Sequence, residues 1–162
     1  MILLESRSIG KGEGHSSGRA LLKAMYETHT GQAMPQICVA PRGKPYFVEG
    51  TLYFSISHTK RHVFCVLSDK PVGIDAEELD REISGALAEK ILSPAEKVQY
   101  DAAQDQRLAL LTFWVLKEAQ AKYTGMGLQG YPNQTDFSLD DPRVIQRDNC
   151  LVAVIGEENH AF

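Results

Sequence analysis

The sequence contains few cysteines, and their number and spacing exclude several protein classes. Only three of the 162 residues are cysteine, namely Cys38, Cys65 and Cys150. An odd number of widely spaced cysteines indicates neither a disulfide framework nor a zinc site. We therefore expect reduced, mostly buried thiols.

Long hydrophobic runs and an excess of positive charge are also missing. Residues 1–4 are apolar, but Glu5 and Arg7 follow them, so this stretch is too short for a signal peptide or a membrane span. The formal net charge of −4 argues against a nucleic-acid-binding domain. The glycine-rich segment 10–14 does not have the spacing of a P-loop. We therefore expect a cytoplasmic protein that binds neither nucleic acid nor a membrane.

Charge is distributed unevenly along the chain. Residues 1–70 contain 9 Lys/Arg and 5 Asp/Glu, whereas residues 71–162 contain 8 Lys/Arg and 16 Asp/Glu. A basic half beside an acidic half suits a site that holds phosphates on one side and a metal ion on the other. Two solvated faces would give the same asymmetry.

Apolar periodicity and turn residues predict an α+β fold. A first helix is predicted over residues 17–29, with Ser16 or Ser17 as the N-cap and Gly31 as the stop. Residues 93–96 have the pattern of a capping box with a proline at the first helical position. A long helix is predicted from about residue 105 to 123. Strands are predicted at residues 37–40, 53–58, 63–68 and 72–77, and around residues 137, 144 and 151–155.

A weak internal repeat suggests two similar halves. Residues 22–31 and 116–125 share a leucine, a lysine, a threonine and a glycine at matching positions. This predicts an N-terminal half, residues 1–71, and a C-terminal half, residues 72–162, each with a long helix and a small antiparallel sheet. Two halves in one chain can form a cleft between themselves, so we expect one compact pseudo-twofold unit and a monomer.

Two carboxylates lie on one face of the strand predicted over residues 72–77. Strand alternation places Gly73, Asp75 and Glu77 together. Two carboxylates, with water and phosphate in the remaining positions, are the oxygen ligands that Mg²⁺ prefers. An acidic, solvent-facing strand is the commoner explanation of such a short pattern.

Trp114, Glu118 and Lys122 lie on one stripe of the long predicted helix, because each follows the previous one by four residues. The last two would form an ordinary surface salt bridge of about 0.3–0.5 kcal/mol, or a functional pair of a carboxylate and an ammonium group.

The N-terminal half offers donors for phosphate at predicted loops and strand ends. They include Lys44, Ser57, His58 and Arg61. Ammonium, hydroxyl, imidazole and guanidinium groups all donate to phosphate oxygens, and arginine can do so in a fork. A histidine that is hydrogen-bonded within a turn is the alternative for His58.

These segments, in this order, resemble the 4'-phosphopantetheinyl transferases, specifically the surfactin-synthetase-activating type built from two similar halves. The resemblance runs from about residue 19 to 139 and rests on residues 43–45, 54–59, 72–77, 92–96 and 114–122. Ser55 stands where an asparagine is common and Val115 where a serine or threonine is common. The first half is shortened before Ser17.

The resemblance implies an enzyme that moves the phosphopantetheine arm of coenzyme A onto a serine of an acyl or peptidyl carrier protein and releases 3',5'-adenosine bisphosphate. Asp75, Glu77 and Glu118 would hold Mg²⁺ against the pyrophosphate of coenzyme A, with Lys122 near the bridging phosphate. Glu118 would also accept the serine proton. The residues implied to contact the phosphates of coenzyme A are Lys44, Ser57, His58, Arg61 and, more weakly, Arg19.

Two alternatives stay open. Another Mg²⁺-dependent phosphoryl enzyme, such as a nucleotide pyrophosphatase, would use the same carboxylates with water as the nucleophile. A non-catalytic α+β binding module is the second alternative, and the substitutions at Ser55 and Val115 favour it.

Overall fold

The computed structural model describes residues 1–128 and 135–157. The described residues form eight strands and four α-helices, with one 3₁₀ turn, Gly85–Leu87, before the second helix. The strands are β1 (Ile2–Ser8), β2 (Ile37–Val39), β3 (Pro45–Phe47), β4 (Tyr53–His58), β5 (His62–Ser68), β6 (Val72–Glu78), β7 (Val144–Arg147) and β8 (Cys150–Gly156). The helices are α1 (Gly14–Thr30), α2 (Ala88–Ile91), α3 (Pro94–Ala102) and α4 (Gln106–Thr124).

The strands form three small antiparallel sheets. The first sheet has the order β1-β5-β4, the second has the order β6-β8-β7, and β2 pairs with β3 in a separate hairpin. The strands of the first sheet all precede Pro71, and those of the second sheet all follow it. The prediction of a mixed fold with helices and small antiparallel sheets is confirmed.

The two larger sheets pack against each other through an apolar layer. Phe64 and Val66 of β5 meet Ile74 of β6 and Val152 of β8 in this layer. Helix α1 covers the other side of the first sheet, and α4 covers the other side of the second. Each sheet is therefore buried between its neighbour and a helix.

Gly73 allows α4 to lie directly on β6. A Cβ atom added at this position would lie 2.2 Å from the carbonyl oxygen of Ala119 and 2.3 Å from the amide nitrogen of Tyr123. Both are backbone atoms of α4, which cannot turn aside as the end of a flexible side chain can. The missing side chain at Gly73 thus sets the distance between α4 and the strand that carries Asp75 and Glu77.

A buried ion pair connects α3, α4 and the segment that follows α4. Ser93 and Glu96 form the predicted capping box at the start of α3, in which each side chain bonds to the other's backbone N–H. Glu96 also pairs with Lys117 of α4 at 2.7 Å, and its other carboxylate oxygen accepts the backbone N–H of Phe137. Because Glu96 and Lys117 are both almost fully buried, this pair fixes α4 at the residue that immediately precedes Glu118.

Replacing Lys117 with methionine is expected to lower the free energy of unfolding by about 3–5 kcal/mol, because the carboxylate of Glu96 would stay buried without its cation. Thermal or urea unfolding measures this cost. Lys97→Met is the matched control, since Lys97 pairs with Glu89 at the exposed surface and should leave the free energy of unfolding close to that of the wild type. Equal losses in the two variants would contradict the assigned role.

Three elements differ from the sequence predictions. Helix α1 begins at Gly14, before Ser16 and Ser17, and the hydroxyl of Ser16 donates to the carbonyl of Glu13 instead of capping the helix. No strand forms at Phe137, because its N–H donates to a side chain instead of to a neighbouring strand. The prediction missed β3, which is short and begins with a proline.

Within the described ranges, no helix has the length and apolar character needed to cross a membrane.

Candidate active site

A cleft of about 490 Å³ separates the N-terminal elements from α4. One wall carries basic and polar side chains of the N-terminal half, and the other wall is formed by α4. The lining includes five of the predicted site residues, namely Arg19, Lys44, His58, Glu118 and Lys122. The structure therefore brings three of the five predicted phosphate donors and the predicted catalytic helix to one cavity.

The stripe predicted on α4 faces the carboxylates of β6. Trp114 donates its indole N–H to Glu77 at 3.2 Å, and Lys122 donates to Asp75 at 3.0 Å. Among the described residues, the acidic partner of Lys122 within 4.0 Å is Asp75, and no Glu118–Lys122 salt bridge forms. Lys122 therefore belongs to a site between α4 and β6, and the described residues do not form the Glu118–Lys122 surface salt bridge considered above.

Asp75 is the most buried carboxylate of the site. Its Oδ1 accepts hydrogen bonds from Lys122 and, at 3.2 Å, from the hydroxyl of Ser57. Its Oδ2 is buried and has no hydrogen-bond partner among the described residues. Burial raises the pKa of Asp75 above its ordinary value, although Lys122 opposes the shift. A buried acceptor without a donor costs stability unless a cation or another donor binds it.

Glu77 and Glu118, the other two carboxylates of the site, also have raised pKa values. Burial raises the pKa of both groups, and the charge of Asp75 raises both further. Arg81 partly offsets this rise in pKa at Glu77, because the two side chains form an ion pair. The guanidinium carbon of Arg81 also lies 5.7 Å from the centre of the Trp114 ring. Three carboxylates that raise one another's pKa favour the binding of a divalent cation.

The donor chemistry of this site fits Mg²⁺, since Asp75, Glu77 and Glu118 offer oxygen atoms only. Within residues 1–128 and 135–157, these three carboxylates do not place one oxygen each within 4.8 Å of the others. Glu77 is instead drawn toward Arg81 and Trp114.

Serine hydroxyls join the edges of the two sheets at β4 and β6. The backbone N–H of Ile74 donates to Ser55, and that of Ala76 donates to Ser57, each at 3.1 Å. Ser57, predicted to contact phosphate, is buried, and it does not line the cleft. Its hydroxyl holds Asp75. No sequence pattern indicates this role, because hydroxyl-to-backbone bonds between sheet edges have no periodic spacing.

Three of the basic side chains that line the cleft are held in different ways. Lys44 donates to the carbonyls of Tyr123 and Val72, and burial lowers its pKa. Arg19 has a buried guanidinium nitrogen that finds no hydrogen-bond partner in the part of the chain that the structure describes. Its guanidinium carbon lies 5.9 Å from the centre of the Phe54 ring. His58 is exposed.

Arg61 lies outside this cleft. Its guanidinium group pairs with Glu78 at 3.0 Å and with Asp80 at 2.8 Å, and it lines a second, open depression. Of the other predicted phosphate donors, His58 lines both this depression and the cleft, whereas Arg19 and Lys44 line the cleft. Sequence reasoning also missed Arg81, because the four-residue spacing from Glu77 predicts contact only in a helix, and Glu77 lies in a strand.

The sequence matches a known protein family. The chain belongs to the 4'-phosphopantetheinyl transferase superfamily, whose model matches residues 71–159, which include β6 and α4. The family predicted from the sequence is thereby confirmed.

Curated relatives agree with this membership. The chain is 36% identical over 88 residues to 4'-phosphopantetheinyl transferase gsp of Aneurinibacillus migulanus, with 53% of this chain and 36% of the relative covered. It is 33% identical over 121 residues to the 4'-phosphopantetheinyl transferase of Bacillus subtilis, with 73% of this chain and 50% of the relative covered. The match to psf-1 of Bacillus pumilus is 31% over 116 residues, covering 68% and 49%. The chain spans half or less of the length of these relatives.

Proposed function

We propose that this chain transfers the 4'-phosphopantetheine arm of coenzyme A to a serine of an acyl or peptidyl carrier protein, and so converts the apo form to the holo form. The observation that carries the proposal is the buried Oδ2 of Asp75, which has no donor within residues 1–128 and 135–157 and belongs to the acidic cluster beside the cleft. The names of the matched relatives support it.

Asp75, Glu77 and Glu118 are proposed to hold Mg²⁺. The ion supplies neutralisation of the diphosphate charge when it is bound. Ser57 and Lys122 keep the carboxylate of Asp75 in place through its Oδ1, which leaves Oδ2 for the ion.

The basic wall of the cleft is proposed to bind the phosphates of coenzyme A. Arg19 offers an unpaired guanidinium nitrogen, and His58 lies at the exposed end. Lys44 lines the same wall, although its ammonium group also bonds two backbone carbonyls. A cleft of about 490 Å³ has the size of a small-molecule site. We leave Arg61 out of this site, because Glu78 and Asp80 hold it elsewhere.

In the proposed reaction, the serine oxygen of the carrier protein attacks the phosphorus that bears the pantetheine arm. Glu118 accepts the serine proton. A new O–P bond forms as the bond from this phosphorus to the bridging oxygen breaks. Lys122 stabilises the charge that develops on the phosphates, and 3',5'-adenosine bisphosphate leaves.

We also propose that the two halves form a pseudo-twofold unit and that the protein is a monomer. Helices α1 and α4 both end in Thr-Gly, and the two glycines have nearly the same left-handed conformation, with φ of 68° and 70°. A sedimentation experiment is expected to give the mass of one chain. A stable dimer or trimer at micromolar concentration would contradict this prediction.

Replacing Asp75 with alanine is expected to reduce transfer at least about a hundredfold, because metal-assisted charge neutralisation supplies several kcal/mol to such reactions. Initial rates across a range of Mg²⁺ concentrations measure the loss. Asp101→Ala is the control, since Asp101 is exposed on α3. Unchanged turnover in Asp75→Ala, or full activity in excess chelator, would rule out this metal site.

The proposed function is tested by incubating the protein with coenzyme A, Mg²⁺ and a panel of apo carrier proteins from fatty-acid, polyketide and peptide synthesis. A carrier that gains one phosphopantetheine group supports the proposal and identifies the pathway. Release of inorganic phosphate or a nucleoside monophosphate without any carrier would favour the pyrophosphatase alternative.

A further inference from the structure

A second cluster of metal-binding side chains lies at the open end of the layer between the two sheets. His62 begins β5, Glu78 ends β6 and Cys150 begins β8. Glu78 and Cys150 are direct register partners, so their side chains lie on the same face of the second sheet. Strand alternation places Glu78 on the face opposite to Asp75 and Glu77. The cluster is therefore separate from the acidic site beside α4.

The distances between the three ligand atoms are similar to those between the ligands of a small metal ion. Nδ1 of His62 lies 3.4 Å from Oε1 of Glu78 and 3.7 Å from Sγ of Cys150. All three atoms lie within 4.8 Å of one another. A tetrahedral zinc ion with bonds of about 2.0 Å to nitrogen and oxygen and 2.3 Å to sulfur separates its ligands by roughly 3.3–3.6 Å.

Glu78 is the common partner of the other two side chains. Nδ1 of His62 carries either a proton or a lone pair, so it can donate to Glu78 or accept from Cys150 but cannot do both, and the thiol of Cys150 can also donate to Glu78. A cation at the common centre binds all three atoms at once. Thr59 and Arg61 also hold the carboxylate of Glu78, as outer partners of metal ligands commonly do.

We infer that His62, Glu78 and Cys150 bind a zinc-like divalent cation that connects the two sheets. A thiolate, an imidazole and a carboxylate suit Zn²⁺ or Co²⁺ and do not suit Mg²⁺, which prefers oxygen ligands. The thiol of Cys150 loses its proton when the ion binds. Glu78 lines the open depression that also contains Arg61, which gives an ion a path from solvent. This inference does not depend on the proposed transferase activity.

The test is a titration of the full chain with Co²⁺ in excess Mg²⁺, followed by absorption spectroscopy. We expect one equivalent of Co²⁺ to produce a thiolate-to-cobalt charge-transfer band, and Zn²⁺ to abolish it by displacement. The band should vanish in Cys150→Ser and persist in Cys38→Ser, because Cys38 lies in β2, outside the cluster. Because thiolate ligation produces the band, Co²⁺ bound by the carboxylates beside α4 does not imitate it.

His62→Gln provides a second variant if Cys150→Ser does not fold, since the side chain of His62 is 16% exposed. We expect it to weaken Co²⁺ binding at least about tenfold, because loss of even an outer partner of a metal ligand costs about 10–100-fold. Zn²⁺ should raise the melting temperature of the wild type but not that of Cys150→Ser. A wild type without the band, a band that persists in Cys150→Ser, or binding unchanged in His62→Gln would overturn the inference.

Discussion

Glu118→Gln is expected to slow transfer of phosphopantetheine at least about a hundredfold while the fold is preserved. Glutamine has nearly the same shape, but it cannot accept the serine proton and is a poorer ligand for Mg²⁺. The initial rate of carrier-protein modification measures the effect, and the melting temperature shows whether folding is retained. Glu27→Gln is the matched control, because Glu27 forms an exposed salt bridge on α1 and should leave the rate unchanged.

Lys122→Met tests the other residue of the proposed catalytic pair. It should also slow transfer roughly a hundredfold, because the developing phosphate charge loses its nearby cation. Since Lys122 pairs with the buried Asp75, we also expect a stability loss of about 1–3 kcal/mol, which a conservative change at an exposed position would not cause. Thr28→Ala, at the matching position of the repeat on α1, is exposed and should change neither quantity. Near-native rates in both Glu118→Gln and Lys122→Met would refute the proposed mechanism and favour the non-catalytic alternative.

Gly73→Ala is expected to have the largest effect on the position of α4. The new methyl group would overlap backbone atoms of the helix, so the helix must move or the protein must unfold. Overpacking of this kind costs about 1–3 kcal/mol and occasionally more. For a chain of this size, that lowers the melting temperature by roughly 2–12 °C. Activity should fall even where the protein stays folded, because Glu118 and Lys122 move with α4.

Gly156→Ala is the matched control for this change. Gly156 lies in the same sheet, on the neighbouring strand β8, and a Cβ atom there would make only ordinary contacts, the nearest at 3.5 Å. It should fold with near-wild-type activity. If Gly73→Ala and Gly156→Ala behaved alike, the close approach of α4 to β6 would not control the site.

The sequence predicted those parts of the site that follow a regular spacing. Alternation along β6 identified the face shared by Asp75 and Glu77, and the four-residue spacing on α4 identified the stripe with Glu118 and Lys122. The structure places these two faces against each other. Gly73 was recognised as a bare position on that face, although its contact with α4 required the structure.

The sequence did not predict contacts that depend on how distant elements pack. The hydroxyl of Ser57 was expected at phosphate, yet it bonds Asp75. Arg61 was expected in the same cleft, but acidic residues after β6 hold it elsewhere. The spacing of the cysteines indicated no zinc site, and it could not predict that His62 and Cys150, 88 positions apart, meet when the two sheets pack.

The most direct test of the central claim is the intact mass of an apo carrier protein after incubation with this protein, coenzyme A and Mg²⁺, with the nucleotide product quantified in the same sample. We predict that the carrier gains one phosphopantetheine group, that one 3',5'-adenosine bisphosphate is released for each carrier modified, and that excess chelator or Glu118→Gln prevents both. A carrier of unchanged mass with the folded wild type, across carriers from fatty-acid, polyketide and peptide synthesis, would contradict the account.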